Sequence, residues 1–164
     1  MSRHSDDALV AVPRILVLRV FAVVTAVLVV LGVSVRIFTA SHAGELESVS
    51  ILTIPGKWQP TDDDPMDIAT VVGFVGLSVC AAVAAVLSLA QWGGRLGRRT
   101  RVIGLTVGVL LAVGGLVPLT LVLVAATRSI TGETAGPGML FYYLGVLGFM
   151  LLMSRVSDPL RRQR

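Results

Sequence analysis

Little in this chain could do covalent chemistry. It carries one cysteine, Cys80, and two histidines, His4 and His42, among 164 residues. A lone cysteine excludes an internal disulfide, so no loop can be stapled shut, and at its position inside an apolar run it reads as a small packed residue. The two histidines are far apart and form no His-Glu-x-x-His pattern. Cys-x-x-Cys, Gly-x-Ser-x-Gly and the phosphate-binding glycine loop are missing as well. The sequence therefore names no catalytic residue, no metal ligand and no cofactor site, and we read the protein as a non-enzyme. Charge is also scarce, at 15% of residues, and none of it lies centrally in the apolar runs. Ionisable groups in lipid are costly and are retained where protons or ions move, so their lack argues against a proton- or ion-coupled transporter.

Hydrocarbon dominates what remains. Hydrophobic residues make up 54% of the chain, and the mean hydropathy is +0.84. Four apolar stretches occupy residues 15–38, 68–90, 102–127 and 138–154. The hydrocarbon core of a bilayer is ~30 Å thick and a helix rises ~1.5 Å per residue, so each stretch is about long enough to cross. A chain in lipid must satisfy its own backbone hydrogen bonds, which makes long apolar spans helical. The expected fold is all-α: a single four-span transmembrane domain over residues 1–164, built as a four-helix bundle. One longer loop, residues 41–66, lies between the first two spans.

Arginine placement orients this bundle. Lys and Arg number 14, and eleven of them fall at the N-terminus, between the second and third spans, or after the fourth. Arg36, Lys57 and Arg128 are the three on the other side. Short basic loops stay cytoplasmic, which puts both termini inside and loop 41–66 outside, in a cell (plasma) membrane. The preference for arginine over lysine, with Lys57 the sole lysine, points to a GC-rich bacterial genome. Because the basic clusters track helix ends, we read them as contacts with anionic lipid headgroups and not with nucleic acid. Arg14 and Arg19 before an apolar run could open a signal peptide. That run is too long and is interrupted by Arg36, so it is read as an uncleaved span.

Within the spans the recurring feature is small residues at helical spacing. Ala69, Gly73, Gly76, Cys80 and Ala84 share one face of the second span. Gly104, Gly108 and Ala112 repeat small-xxx-small in the third. Such faces let helix backbones approach closely in lipid, so Gly73, Gly76, Gly104, Gly108 and Ala112 are the expected helix-packing residues, with a contact inside the chain favoured for the third span. Pro118 cannot donate to the Gly114 carbonyl, so a kink is expected at Gly114–Pro118. Phe141, Tyr142 and Tyr143 read as an aromatic belt at the outer interface. Pro65, Gly73 and Gly76 have the same spacing as Pro137, Gly145 and Gly148, which suggests two related hairpins.

The outer side holds the remaining polar candidates: Arg36 at the end of the first span, and Asp64 and Asp67 at the start of the second. Asp64 suits an N-cap, Pro65 the first helical position, and Asp67 the positive end of the helix dipole. Asp62, Asp63 and Asp64 lack the spaced ligands and glycine of a calcium loop. Residues 48–54 (SVSILTI) are β-prone, Pro55-Gly56 suits a turn, and Trp58 can dip into the interface. The expected function is an accessory, assembly or interaction subunit whose partners are the bilayer and other membrane helices, either its own or another protein's. The alternative is a small transporter or oligomeric pore. An enzyme of the cell envelope using Asp62–Asp64, Asp67 and Arg36 ranks third.

Overall fold

The first helix, α1 (Arg3–Ser34), includes Pro13; its valine- and leucine-rich part from Leu16 to Ser34 holds no proline and has a mean hydropathy of 2.8. The computed structural model describes residues 3–42, 45–57, 65–91, 97–127 and 136–155. After α1 come strands β1 (Phe38–His42) and β2 (Glu45–Val49) and the single turn α2 (Ile54–Lys57). They are followed by α3 (Pro65–Ala90), α4 (Arg98–Gly114), α5 (Leu116–Thr127) and α6 (Gly138–Arg155). The protein is mostly helical. Three helical stretches, Leu16–Ser34, Ala69–Ala90 and Arg98–Thr120, are long and apolar enough to cross a membrane, and Gly138–Ser154 is a shorter fourth.

Two expectations need correction here. The first span does not stay helical to residue 38. Its last helical bond runs from the Val35 amide to the Leu31 carbonyl, and Arg36 lies beyond the helix end. The loop after it is not irregular either, because β1 and β2 form an antiparallel hairpin with Phe38 opposite Val49 and His42 opposite Glu45. Only Ser48 and Val49 of the β-prone run are strand. Ser50 ends it by closing a capping box: its amide donates to Thr53 Oγ1 (3.0 Å), and the Thr53 amide donates to Ser50 Oγ (3.3 Å). Pro55 and Gly56 consequently sit inside α2 and do not form a turn of their own. Ile51 and Ile54, three apart, both become buried. Asp62, Asp63, Asp64 and Trp58 lie outside the described residues.

The helices run antiparallel between two distinct ends. At one, backbone hydrogen bonds knit the hairpin to α1 and α6: Ile37 N–H to Val49 O (2.8 Å), Leu52 N–H to Val33 O (3.0 Å), Gly136 N–H to Ile37 O (2.7 Å) and Gly138 N–H to Arg36 O (3.0 Å). At the other, Arg101 donates to the Met153 carbonyl through Nε (3.0 Å) and to the Ser154 carbonyl through Nη2 (3.3 Å). A cation here satisfies carbonyls at the negative end of the α6 dipole. We call these the hairpin end and the arginine end; Arg98 and Arg99 are exposed at the latter.

α1 and α6 form the central pair. A Cβ on Gly145 would lie 2.7 Å from the Val29 nitrogen, one on Gly148 2.9 Å from Thr25 Oγ1, and one on Gly32 2.5 Å from the Tyr142 nitrogen. Only glycine permits backbones this close. α3 and α4 flank the pair, and Phe74, Leu111, Tyr142, Phe149 and Met153 fill the core between them. The outward surface is the reverse of a soluble one: Leu16, Val72, Val86, Val113 and Leu123 are each at least 60% exposed. Apolar surface this extensive suits a hydrocarbon solvent.

Candidate functional site

The third apolar stretch carries the clearest local irregularity. α4 stops at Gly114 and α5 starts at Leu116, yet Gly115 keeps helical angles (φ −66°, ψ −14°). The interruption is therefore a missing hydrogen bond and not a turn. Pro118 has no N–H to give the Gly114 carbonyl, while the Gly115 and Leu119 amides still reach Leu111 O (2.9 Å) and Gly115 O (3.1 Å). Pro118 itself is fully buried.

α6 reaches across to this weakened turn. Tyr142 Oη donates to the Leu111 carbonyl (2.6 Å) and Tyr143 Oη to the Gly115 carbonyl (2.9 Å). The rings meet edge to face with centroids 5.6 Å apart. This corrects the aromatic-belt expectation for Tyr142, which is 1% exposed and belongs to the core. Tyr143 is half-buried. Hydropathy could not have shown this, because an interfacial tyrosine and a core tyrosine with a hydroxyl partner look alike in sequence.

Beside the break, an apolar groove of about 280 Å³ opens between α3 and the α4–α5 arm. It is lined by Ala69, Thr70, Gly73, Phe74, Leu77, Gly114 and Val117. Phe74 and Leu77 are buried, and the absence of a side chain at Gly114 makes room for Leu77, whose Cδ2 would be 2.5 Å from a Cβ there. The groove can hold an apolar chain or side chain, and none of its described lining residues is a group for acid–base or metal chemistry. Among the described residues no cluster of three or more His, Cys, Asp or Glu could hold a metal.

The small residues singled out from the sequence divide into two sets. Gly104 and Gly108 are buried against α6, where added Cβ atoms would meet Met153 Sδ (2.6 Å) and Met150 Cγ (3.0 Å). Ala112, half-buried, packs against the same core. Gly73 and Gly76 are exposed, with nothing within 4 Å of a Cβ at either. The equally spaced Gly145 and Gly148 are buried against α1, so the two glycine pairs occupy opposite environments. Cys80 is half-buried beside the core. Arg36 is exposed on the link between α1 and β1, and Asp67 lies in the first turn of α3. Asp64 is outside the described residues.

Gly32, Gly145 and Gly148 are the packing residues that a reading of one span at a time underrated. The Gly145-x-x-Gly148 spacing was visible, but its partner, a face of α1 made by Thr25, Val29 and Gly32, is apparent only once the two helices are paired. A mostly helical protein with apolar helices long enough to cross a membrane is the class that these features define. No family profile, curated protein or solved structure matches the chain.

Proposed function

We propose that this protein is a four-span plasma-membrane subunit with both termini in the cytoplasm, acting without catalysis by packing against another membrane helix. The observation that carries the reading is the open glycine face of α3. Most glycines in the helical stretches have a neighbour that a side chain would strike, whereas Gly73 and Gly76 face open space. A small-residue face open to lipid lets a second helix approach closely, where van der Waals contact and interhelical hydrogen bonds supply the attraction. Ala69, also exposed, extends the same face along α3. The arginine bias between the two ends supports the orientation.

The test is association in a bilayer or mild detergent. Gly73→Leu with Gly76→Leu is expected to abolish self-association or co-purification of a partner helix while leaving helicity unchanged. Wild-type protein that stays monomeric and recovers no membrane partner overturns the reading, as does a double variant that associates normally. The α4–α5 break and its groove favour the second reading, a small transporter. Its requirement is solute or ion flux in liposomes above that of empty vesicles.

A further inference from the structure

Pro118 leaves the Gly114 carbonyl without its helical donor, so the turn joining α4 to α5 is held by fewer backbone bonds than its neighbours. Beyond it, the described side chains of α5 are mostly exposed, Pro118 excepted. The helix touches α4 and β1, and Val117, Leu119, Thr120 and Leu123 are exposed. With these side chains outward, the hinge is one of the elements that set the position of the arm.

What fixes that hinge comes from another helix. Leu111 and Gly115 are one turn apart, so their carbonyls lie on one face of the α4–α5 stretch. Each already accepts a helical N–H, and each takes a second donor from a tyrosine of α6. Consecutive helix residues point ~100° apart, so Tyr142 and Tyr143 straddle the strip instead of stacking on one side of it. The Tyr142 ring also lies against Gly115, where a Cβ would be 3.2 Å from Cζ, so the absence of a side chain at 115 is part of the fit.

We infer that Tyr142 and Tyr143 form a two-point latch across a proline-weakened hinge, with α5 as the arm and the groove between α3 and α5 as the space that changes when the latch releases. The latch works without water, because in hydrocarbon a released phenol and its carbonyl find few other partners. Its hydrogen bonds lie within this chain, while the groove shares Ala69 and Gly73 with the face proposed for a partner helix, so the test is made on the purified chain alone.

The test uses the full chain in liposomes with Cys80→Ala and nitroxide labels at Val72 on α3 and Leu123 on α5, both exposed. Distances are read by double electron–electron resonance. Wild type and Pro118→Ala are expected to give one narrow distribution. Tyr142→Phe with Tyr143→Phe, which keeps both rings, is expected to add a second population roughly tenfold larger than any in wild type, the size set by losing two interhelical hydrogen bonds in lipid. Adding Pro118→Ala should remove that population, because the restored amide lets the turn support itself. A tyrosine double variant with the wild-type distribution overturns the latch. So does a second population that persists with Pro118→Ala, since the hydroxyls would then serve general packing. If the double variant does not fold, each single Tyr→Phe variant with and without Pro118→Ala gives the same comparison.

Discussion

Gly73 and Gly145 have the same chemistry and the same place in a repeated spacing, yet substitution should affect them in opposite directions. A methyl at Gly145 must push the Val29 backbone away, since its Cβ would lie 2.7 Å from that nitrogen. Overpacking of this kind costs about 1–3 kcal/mol. Gly145→Ala is accordingly expected to lower the thermal midpoint of the detergent-solubilised protein. Gly73→Ala meets nothing within 4 Å and should raise it slightly, by up to about 1 kcal/mol of helix stability. A melting comparison of the two variants checks both signs at once. The same geometry redirects the effect of changing Gly104 and Gly108. Because they face Met153 and Met150 inside the chain, leucine there should damage the fold and not association between chains.

At the scale of elements, the helices were legible in the sequence and the hairpin was not. α3 starts at Pro65 as the proline suggested, and the stretch 102–127 is helical on both sides of Gly115. Helices follow from an uninterrupted apolar run because the backbone pairs with itself. The hairpin needs a partner strand, and β1 starts at Phe38, the last residue of the expected first span, and continues into residues that carried no strand signal. β propensity was also a poor guide at Ser50. Ser50 and Thr53 cap one another, and Ile51 and Ile54 bury themselves at a spacing of three. Ser50→Ala is therefore expected to cost about 1 kcal/mol through loss of the cap, lowering the thermal midpoint by roughly 2–4 °C. Faster proteolysis between Val49 and Lys57 should accompany it, and an unchanged midpoint and cleavage rate would remove the capping account.

For the whole molecule, the geometry sorts the chain into two ends that the charge pattern had already separated. The end of α3, the start of α4 and the end of α6 gather where Arg101 binds the Met153 and Ser154 carbonyls. The hairpin and the exposed Arg36 lie at the opposite end. With the orientation proposed above, a reporter fused after Arg164 should be inaccessible from outside intact cells, while a tag inserted between Ala43 and Gly44 should be accessible. The reverse pattern would invert the topology and place the α3 glycine face in the other leaflet.

Composition and local spacing were enough to make this a mostly helical protein with apolar helices long enough to cross a membrane. Each of those properties depends on residue type and local spacing, and a backbone in oil has few alternatives to a helix. Which small residues touch, and which stay open, depended on how the helices pair. Gly73, Gly76, Gly145 and Gly148 are alike until α1 closes on the glycines of α6 and leaves those of α3 open. Tyr142 is an interfacial anchor or a core residue according to whether a carbonyl from another helix comes within reach of its hydroxyl. These are contacts between residues far apart in the chain, and tertiary packing alone selects among them.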